Sequence, residues 1–338
     1  MKIYSKAELN EFFYSLTYDD ISLVPTTISE IRSRSTIELK DDFLGLDLTI
    51  PIVSSPMDTV TGLEMCRELD NLGALGILNR FDSSLEKVLN NGKDIEGLKA
   101  VAIGLDTPED VIEKLAESNF IICIDTANAN NIFVLKKTEE IKKKYNLKVI
   151  IGNTATGATL ETLENAGADA VRVGIGGGSV CTTSIQTGIG IGQVSAILDT
   201  AMTKKEKKLK IEIIADGGIK HAGDIAKAIA LGADAVMLGR MLAGTKETPG
   251  EVIKYNGMLW KKYRGSASFG VKMKNVFVEG EETMVPYKGT VKNVIDSIMD
   301  GLRSCMSYMN CKSLDELRQC ESFSVLSNSS YLERLPKV

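Results

Sequence analysis

The chain has 338 residues, 43% of them hydrophobic and 25% charged, with a formal net charge of −5. This globular composition excludes wholesale disorder, no apolar run approaches the roughly 20 residues that span a bilayer, and the acidic balance speaks against a nucleic-acid binder with a basic face. The 6 scattered cysteines form no CxxC pair, which argues against a zinc site or disulfide framework, and the single histidine, His221, excludes chemistry that needs two.

The first residues, MKIYSKAELNEFFYSL, lack the apolar stretch of a signal peptide, so a soluble, cytoplasmic protein is expected. Residues 1–47 precede eight short runs read as strands: Leu48–Ser54, Ala74–Leu78, Ala100–Gly104, Phe120–Asp125, Lys148–Gly152, Ala170–Gly174, Ile211–Asp216 and Ala235–Gly239. They are apolar almost throughout, as strands buried on both faces are. Helical patterns lie between them at Thr107–Ser118, Asn131–Tyr145, Gly157–Ala166 and Ala222–Leu231. Thr107 is expected as an N-cap with Pro108 in the first turn. His221 reads as a surface or cap residue, and Cys66 and Cys123 as core packing.

Strand and helix repeated eight times predict an α/β protein, a single-domain (β/α)8 TIM barrel, with a doubly wound open sheet as the alternative. The barrel is expected over residues 48–244. A Gly- and charge-rich flap region follows over 245–290, and Val291–Met309 is a closing helix before a tail of surface structure.

In a barrel, chemistry is expected at the C-terminal strand ends. The loop after the sixth strand is the most informative: Gly174-Ile175-Gly176-Gly177-Gly178-Ser179-Val180-Cys181-Thr182-Thr183. Its glycines expose amides that can hold an anion and carbonyls that can hold a cation. The thiol beside them reads as a nucleophile or as an incidental loop cysteine. Asp216-Gly217-Gly218-Ile219 and Val236–Gly239 end the next two strands, a common phosphate cradle, with Asp216 placed to accept from sugar hydroxyls. From the residues alone, the site suggests a phosphorylated ligand, a ribose-like diol and a thiol nucleophile.

These residues resemble the IMP dehydrogenase/GMP reductase family over nearly the whole chain. The resemblance rests on Tyr18-Asp19-Asp20-Ile21 with Leu23-Val24-Pro25, Ser55–Thr61, the Gly174–Thr183 loop, Asp216–Ile219, Tyr263-Arg264-Gly265 and Val285–Gly289. Two features point to the reductase branch. Only a short linker separates Asn79 from Ala100, leaving no room for the inserted CBS regulatory domain that family dehydrogenases usually carry there. No arginine occurs from Gly265 to Leu302, so the Arg-Tyr pair with which the dehydrogenases activate water is missing. Asp125-Thr126-Ala127-Asn128 is also closer to the reductase form.

The implied activity is NADPH-dependent reductive deamination of GMP to IMP with release of ammonia. Cys181 would attack purine C2 to give a covalent thioimidate, with Thr183 and Glu279 moving protons. The resemblance implies that Ser179, Gly217, Gly239 and Tyr263 hold the phosphate, Asp216 the ribose, Met57 the base and Gly265 and Ser268 its edge, with Ser55 and Gly218 as further substrate-binding residues. It places Asp125, Thr126, Asn128 and Asn153 at the cofactor. It also implies a monovalent cation such as K+ on the carbonyls of Gly176, Gly178 and Cys181, and a homotetramer.

Three departures stand out: Gly177 where relatives have proline, Ser184 in place of an arginine, and Arg240 where relatives have a small residue. Arg240 would reinforce the phosphate or alter which nucleotide fits. The alternatives are an IMP dehydrogenase without the regulatory domain (NAD-dependent oxidation of IMP to XMP), a non-catalytic purine-nucleotide-binding barrel, and an unrelated flavin or phosphate-binding barrel.

Overall fold

The computed structural model describes residues 2–12, 14–81, 85, 88–89, 96–265 and 280–335. Eight parallel strands close into one barrel: β1 (Ile52–Ser54), β2 (Leu75–Leu78), β3 (Ala100–Ile103), β4 (Ile121–Asp125), β5 (Val149–Thr154), β6 (Ala170–Val173), β7 (Glu212–Asp216) and β8 (Ala235–Leu238). Closure comes from β8 pairing with β1, Val236 opposite Ile52. The eight expected strands are these eight, and the barrel, rather than the open sheet, is the fold. Among the described residues no helix is long and apolar enough to cross a membrane.

The helices that the site needs are α1 (Leu63–Asn71), α2 (Glu109–Glu117), α3 (Ile132–Tyr145), α4 (Leu160–Asn165), α5 (Thr183–Thr187), α6 (Gln193–Lys207), α7 (Ala222–Ala230) and α8 (Val291–Tyr308). Asn131 caps α3 by accepting the Phe133 N–H, and three lysines in the last turn suit the negative end of the helix dipole. At α2 the cap differs from expectation. Pro108 occupies the N-cap, and the Thr107 hydroxyl instead accepts the Gly104 N–H at 3.0 Å, closing the strand-to-helix turn. Proline costs nothing there because an N-terminal N–H has no helical partner. His221 is the exposed N-cap of α7.

Three segments depart from the sequence reading. The first expected strand is divided. Leu46–Leu48 pairs with Asp41–Phe43 as a hairpin, and β1 begins only after Pro51, which has no N–H to offer a neighbour. Phe43, Leu44 and Leu48 of this hairpin pack with Val53, Ile77, Cys123, Ile150, Ile214 and Met237, so one end of the barrel interior is plugged by apolar side chains. The tail is not only surface: Phe323–Val325 pairs antiparallel with Ile21–Leu23, and Phe323 is fully buried. The excursion after β8 contains an antiparallel sheet of β9 (Ile253–Tyr255), β10 (Met258–Arg264) and β11 (Glu282–Pro286). Ser268 and Glu279 lie outside the described residues.

Candidate active site

At the opposite end of the barrel from the hairpin, the loops after β6 and β7 clasp each other. The Gly218 N–H donates to the Gly177 carbonyl at 2.9 Å, and both Gly217 and Gly218 have positive φ (103° and 75°). A Cβ on Gly217 would stand 3.2 Å from the Gly177 carbonyl carbon, so two glycines must face each other here. Ser184, at the start of α5, has its hydroxyl 1.7 Å from where a Gly176 Cβ would be. The serine and glycine fit as a pair, and a longer residue at 184 would need the loop to open.

Cys181 is half-buried at the end of this loop. Its N–H donates to the Gly178 carbonyl at 3.0 Å, and its thiol donates to Thr183 Oγ1 at 3.2 Å. An isolated bridge pairs Cys181 with Gly280, just before β11, and the Glu281 N–H donates to Val180 O. The returning strand therefore lies against the cysteine loop. The other cysteine facing this interior is chemically quiet: burial pushes the Cys123 thiol up to about 12.

A second group converges beside the thiol. The Ser179 hydroxyl donates to the Tyr263 hydroxyl at 3.3 Å, and a Cβ on Gly239 would lie 3.2 Å from that Tyr263 oxygen and 3.3 Å from Met57 Sδ. Gly239 thus leaves a gap bounded by Tyr263, Met57 and Ser55. Burial raises the Tyr263 pKa, so the phenol stays protonated and can donate to an anion. Gly265 packs its Cα face against Val180 O.

The third group is held by a residue that the sequence reading missed. Arg172, 8% exposed, lies in the apolar strand β6. Its Nη1 is 2.7 Å from Asp125 Oδ1 and its Nη2 is 3.0 Å from Asp216 Oδ2. Burial alone would lower its pKa, but the Asp216 and Asp125 carboxylates outweigh that and raise it, so the guanidinium stays charged. Gly152 makes room for it, since a Cβ there would be 2.7 Å from Arg172 Cβ. Asn153 Nδ2 donates to Asp216 Oδ2 and to Gly174 O, each at 2.8 Å. Arg80 Nε lies 3.5 Å from Asp125.

Asp125, Asn153 and Asp216, expected at two different ligands, therefore form one network. Thr126 ties two strand ends by donating to Gly152 O at 2.6 Å. Asn128 stands apart: it is exposed and accepts the N–H of Asn130 in a local turn. A further missed pair is Asp58 with Arg264, which joins the loop after β1 to β10. The signal for Arg172 was present, because a lone charge inside a barrel strand must find a buried partner.

The sequence of the chain is similar to those of known proteins. A family model, IMP dehydrogenase / GMP reductase domain, matches residues 15–337. The chain is 34% identical over 378 residues to the inosine-5′-monophosphate dehydrogenase of Cryptosporidium parvum, covering 94% of each chain. It is 33% identical to that of Borreliella burgdorferi, over 95% of this chain and 96% of the relative. It is 41% identical to that of Aquifex aeolicus over 73% of this chain and 54% of the relative. The chain belongs to the IMP dehydrogenase/GMP reductase family of oxidoreductases.

Proposed function

We propose that Cys181 is the nucleophile of an oxidoreductase acting at C2 of a purine nucleoside 5′-monophosphate, and that this chain reduces GMP: GMP + NADPH + 2 H+ → IMP + NADP+ + NH4+. The observation that carries the reading is the thiol, 3.2 Å from the Thr183 hydroxyl, on the same glycine-rich loop as Ser179, whose hydroxyl donates to Tyr263. The thiolate adds to C2, Thr183 and Glu279 supply the proton with which ammonia departs, and a thioimidate remains. C2 then accepts hydride from NADPH, the C–S bond breaks, and the thiolate is regenerated. Tyr263, Ser179 and the amides beside Gly217 and Gly239 would hold the phosphate. Asp216, oriented by Arg172 and Asn153, would accept from the ribose, with Asp125 toward the nicotinamide.

The reductive direction is supported by the sequence between Gly265 and Leu302, which offers no arginine to activate water. The second reading is IMP oxidation to XMP with NAD+. It is favoured by the names of the relatives, which support it better than they support GMP reduction. The same proposal includes a homotetramer, a cytoplasmic location and a monovalent cation on the Gly176, Gly178 and Cys181 carbonyls.

The experiment follows NADPH absorbance with GMP beside NAD+ with IMP. Loss of NADPH with release of ammonia supports reduction. NADH formation from IMP replaces it with the second reading. Binding of either nucleotide without turnover would contradict both.

A further inference from the structure

Beside the phosphate gap, a cavity of about 720 Å³ opens between α7, the Arg240-Met241 turn and the first turns of α8. Lys220, His221, Arg240 and Lys288 line it with Asn293 and Ser297, and among the described residues no acidic one does. The three cations differ in how they are matched. Lys220 pairs with Asp19 at 2.6 Å. Among the described residues, Lys288 donates only to the carbonyls of Arg240 and Met241, at 2.8 and 3.1 Å. The Arg240 guanidinium is exposed and has no hydrogen-bond or ion-pair partner among the described residues.

Two of the cations thus face one cavity with no carboxylate among the described residues to balance them. Arg240 lowers the Lys288 pKa, adding to the larger effect of lost hydration. Like charges held together without a counter-ion raise the energy of the unliganded protein, and an anion between them relieves it.

Arg240 also belongs to the neighbouring gap. It follows Gly239 directly, and its charge opposes the rise that burial causes in the Tyr263 pKa. The gap is the one proposed above for the nucleotide's phosphate. The cavity beyond it, bordered by an arginine that can grip phosphate oxygens in two places, has room and charge for another.

We infer that the Arg240–Lys288 cavity takes a second phosphoryl group, attached to the phosphate held at Gly239 and Tyr263, so that the chain binds purine nucleoside 5′-diphosphates at the monophosphate site. The inference rests on the phosphate gap proposed above. The diphosphate places its terminal phosphate between the two cations, and it competes with the monophosphate for the same gap.

Calorimetry with inorganic phosphate and inorganic pyrophosphate as probes tests this without reference to the base. Pyrophosphate is expected to bind at least about 10-fold tighter than phosphate. Arg240→Ser, at an exposed side chain without partners among the described residues, should reduce that preference to within about 3-fold, and Arg240→Lys should restore most of it. Equal affinities in the unaltered protein, or a preference that survives Arg240→Ser, would overturn the inference. If GMP or IMP is turned over and GDP fails to compete, only this inference falls. If GMP, IMP and phosphate all fail to bind, the phosphate gap itself is refuted.

Discussion

The two ends of the barrel interior are filled by opposite chemistry. Strand β7 carries both: Glu212 at one end accepts the Leu44 N–H of the hairpin plug, Ile214 packs in the middle, and Asp216 at the other end accepts from Arg172 and Asn153. At the plugged end, Phe43, Leu44 and Leu48 remove apolar surface from water, worth roughly 1.5–3 kcal/mol per large side chain. At the open end a buried guanidinium holds two carboxylates, a solution that apolar residues of similar volume often match or better in stability. The expensive end is the one with glycine loops and a thiol. The difference separates the part that keeps the barrel shut from the part proposed to act on the nucleotide.

That separation can be broken from either side. The largest effect is expected at the thiol: Cys181→Ala should lower turnover by about 10⁴-fold or more while leaving the thermal midpoint unchanged. Equal losses of both would place Cys181 in the packing. Phe43→Ala should do the reverse, costing about 3–5 kcal/mol of stability with kcat retained at low temperature. A change in kcat without a change in denaturant midpoint would break the comparison.

Arg172→Leu joins the two properties. Leaving Asp125 and Asp216 buried beside an apolar side chain should cost about 3–5 kcal/mol and raise KM for both substrates. A variant stable to within about 1 kcal/mol and unaltered in KM would show that the network holds neither. Tyr263→Phe should be milder, raising the nucleotide KM about 5- to 10-fold for the loss of roughly one hydrogen bond, with kcat little changed.

The smallest effect is a pH dependence at the plugged end. Burial there pushes the Glu212 pKa up to about 7 from its ordinary 4.5, against the opposing hydrogen bond from Leu44. The native state holds the extra proton, so this contribution is complete below pH 4.5 and is lost as pH rises toward about 7. Glu212→Gln should raise the thermal midpoint at pH 8 by about 2 °C, a gain that disappears at pH 5. A gain that persists at pH 5 would assign the effect to packing.

Much of this was legible in the sequence. Fully buried strands announce themselves as short apolar runs, and all eight were found, because each must satisfy the same two-sided burial. The glycine loop and Cys181 stood out for the same reason: they break that pattern. What escaped notice depended on partners distant in sequence. The hairpin plug looked like an extension of β1 because Leu48 continues its apolar run, and only Pro51 marked the break. Arg172 reads in sequence as one residue of a strand, although the Asp residues it pairs with stand out at the ends of other strands. The sheet of β9 to β11 is largely exposed, with charged residues interspersed among apolar ones, so it lacks the apolar run that marks a buried strand.

The central claim is that turnover passes through a bond between Cys181 and the purine. Acid-quenching the enzyme during steady turnover and mapping its cysteine-containing peptides by mass tests it most directly. The account predicts a nucleotide adduct on the peptide holding Cys181, absent from Cys181→Ala and from the other five cysteines. Turnover with Cys181 unmodified, or persisting in Cys181→Ala, would contradict it.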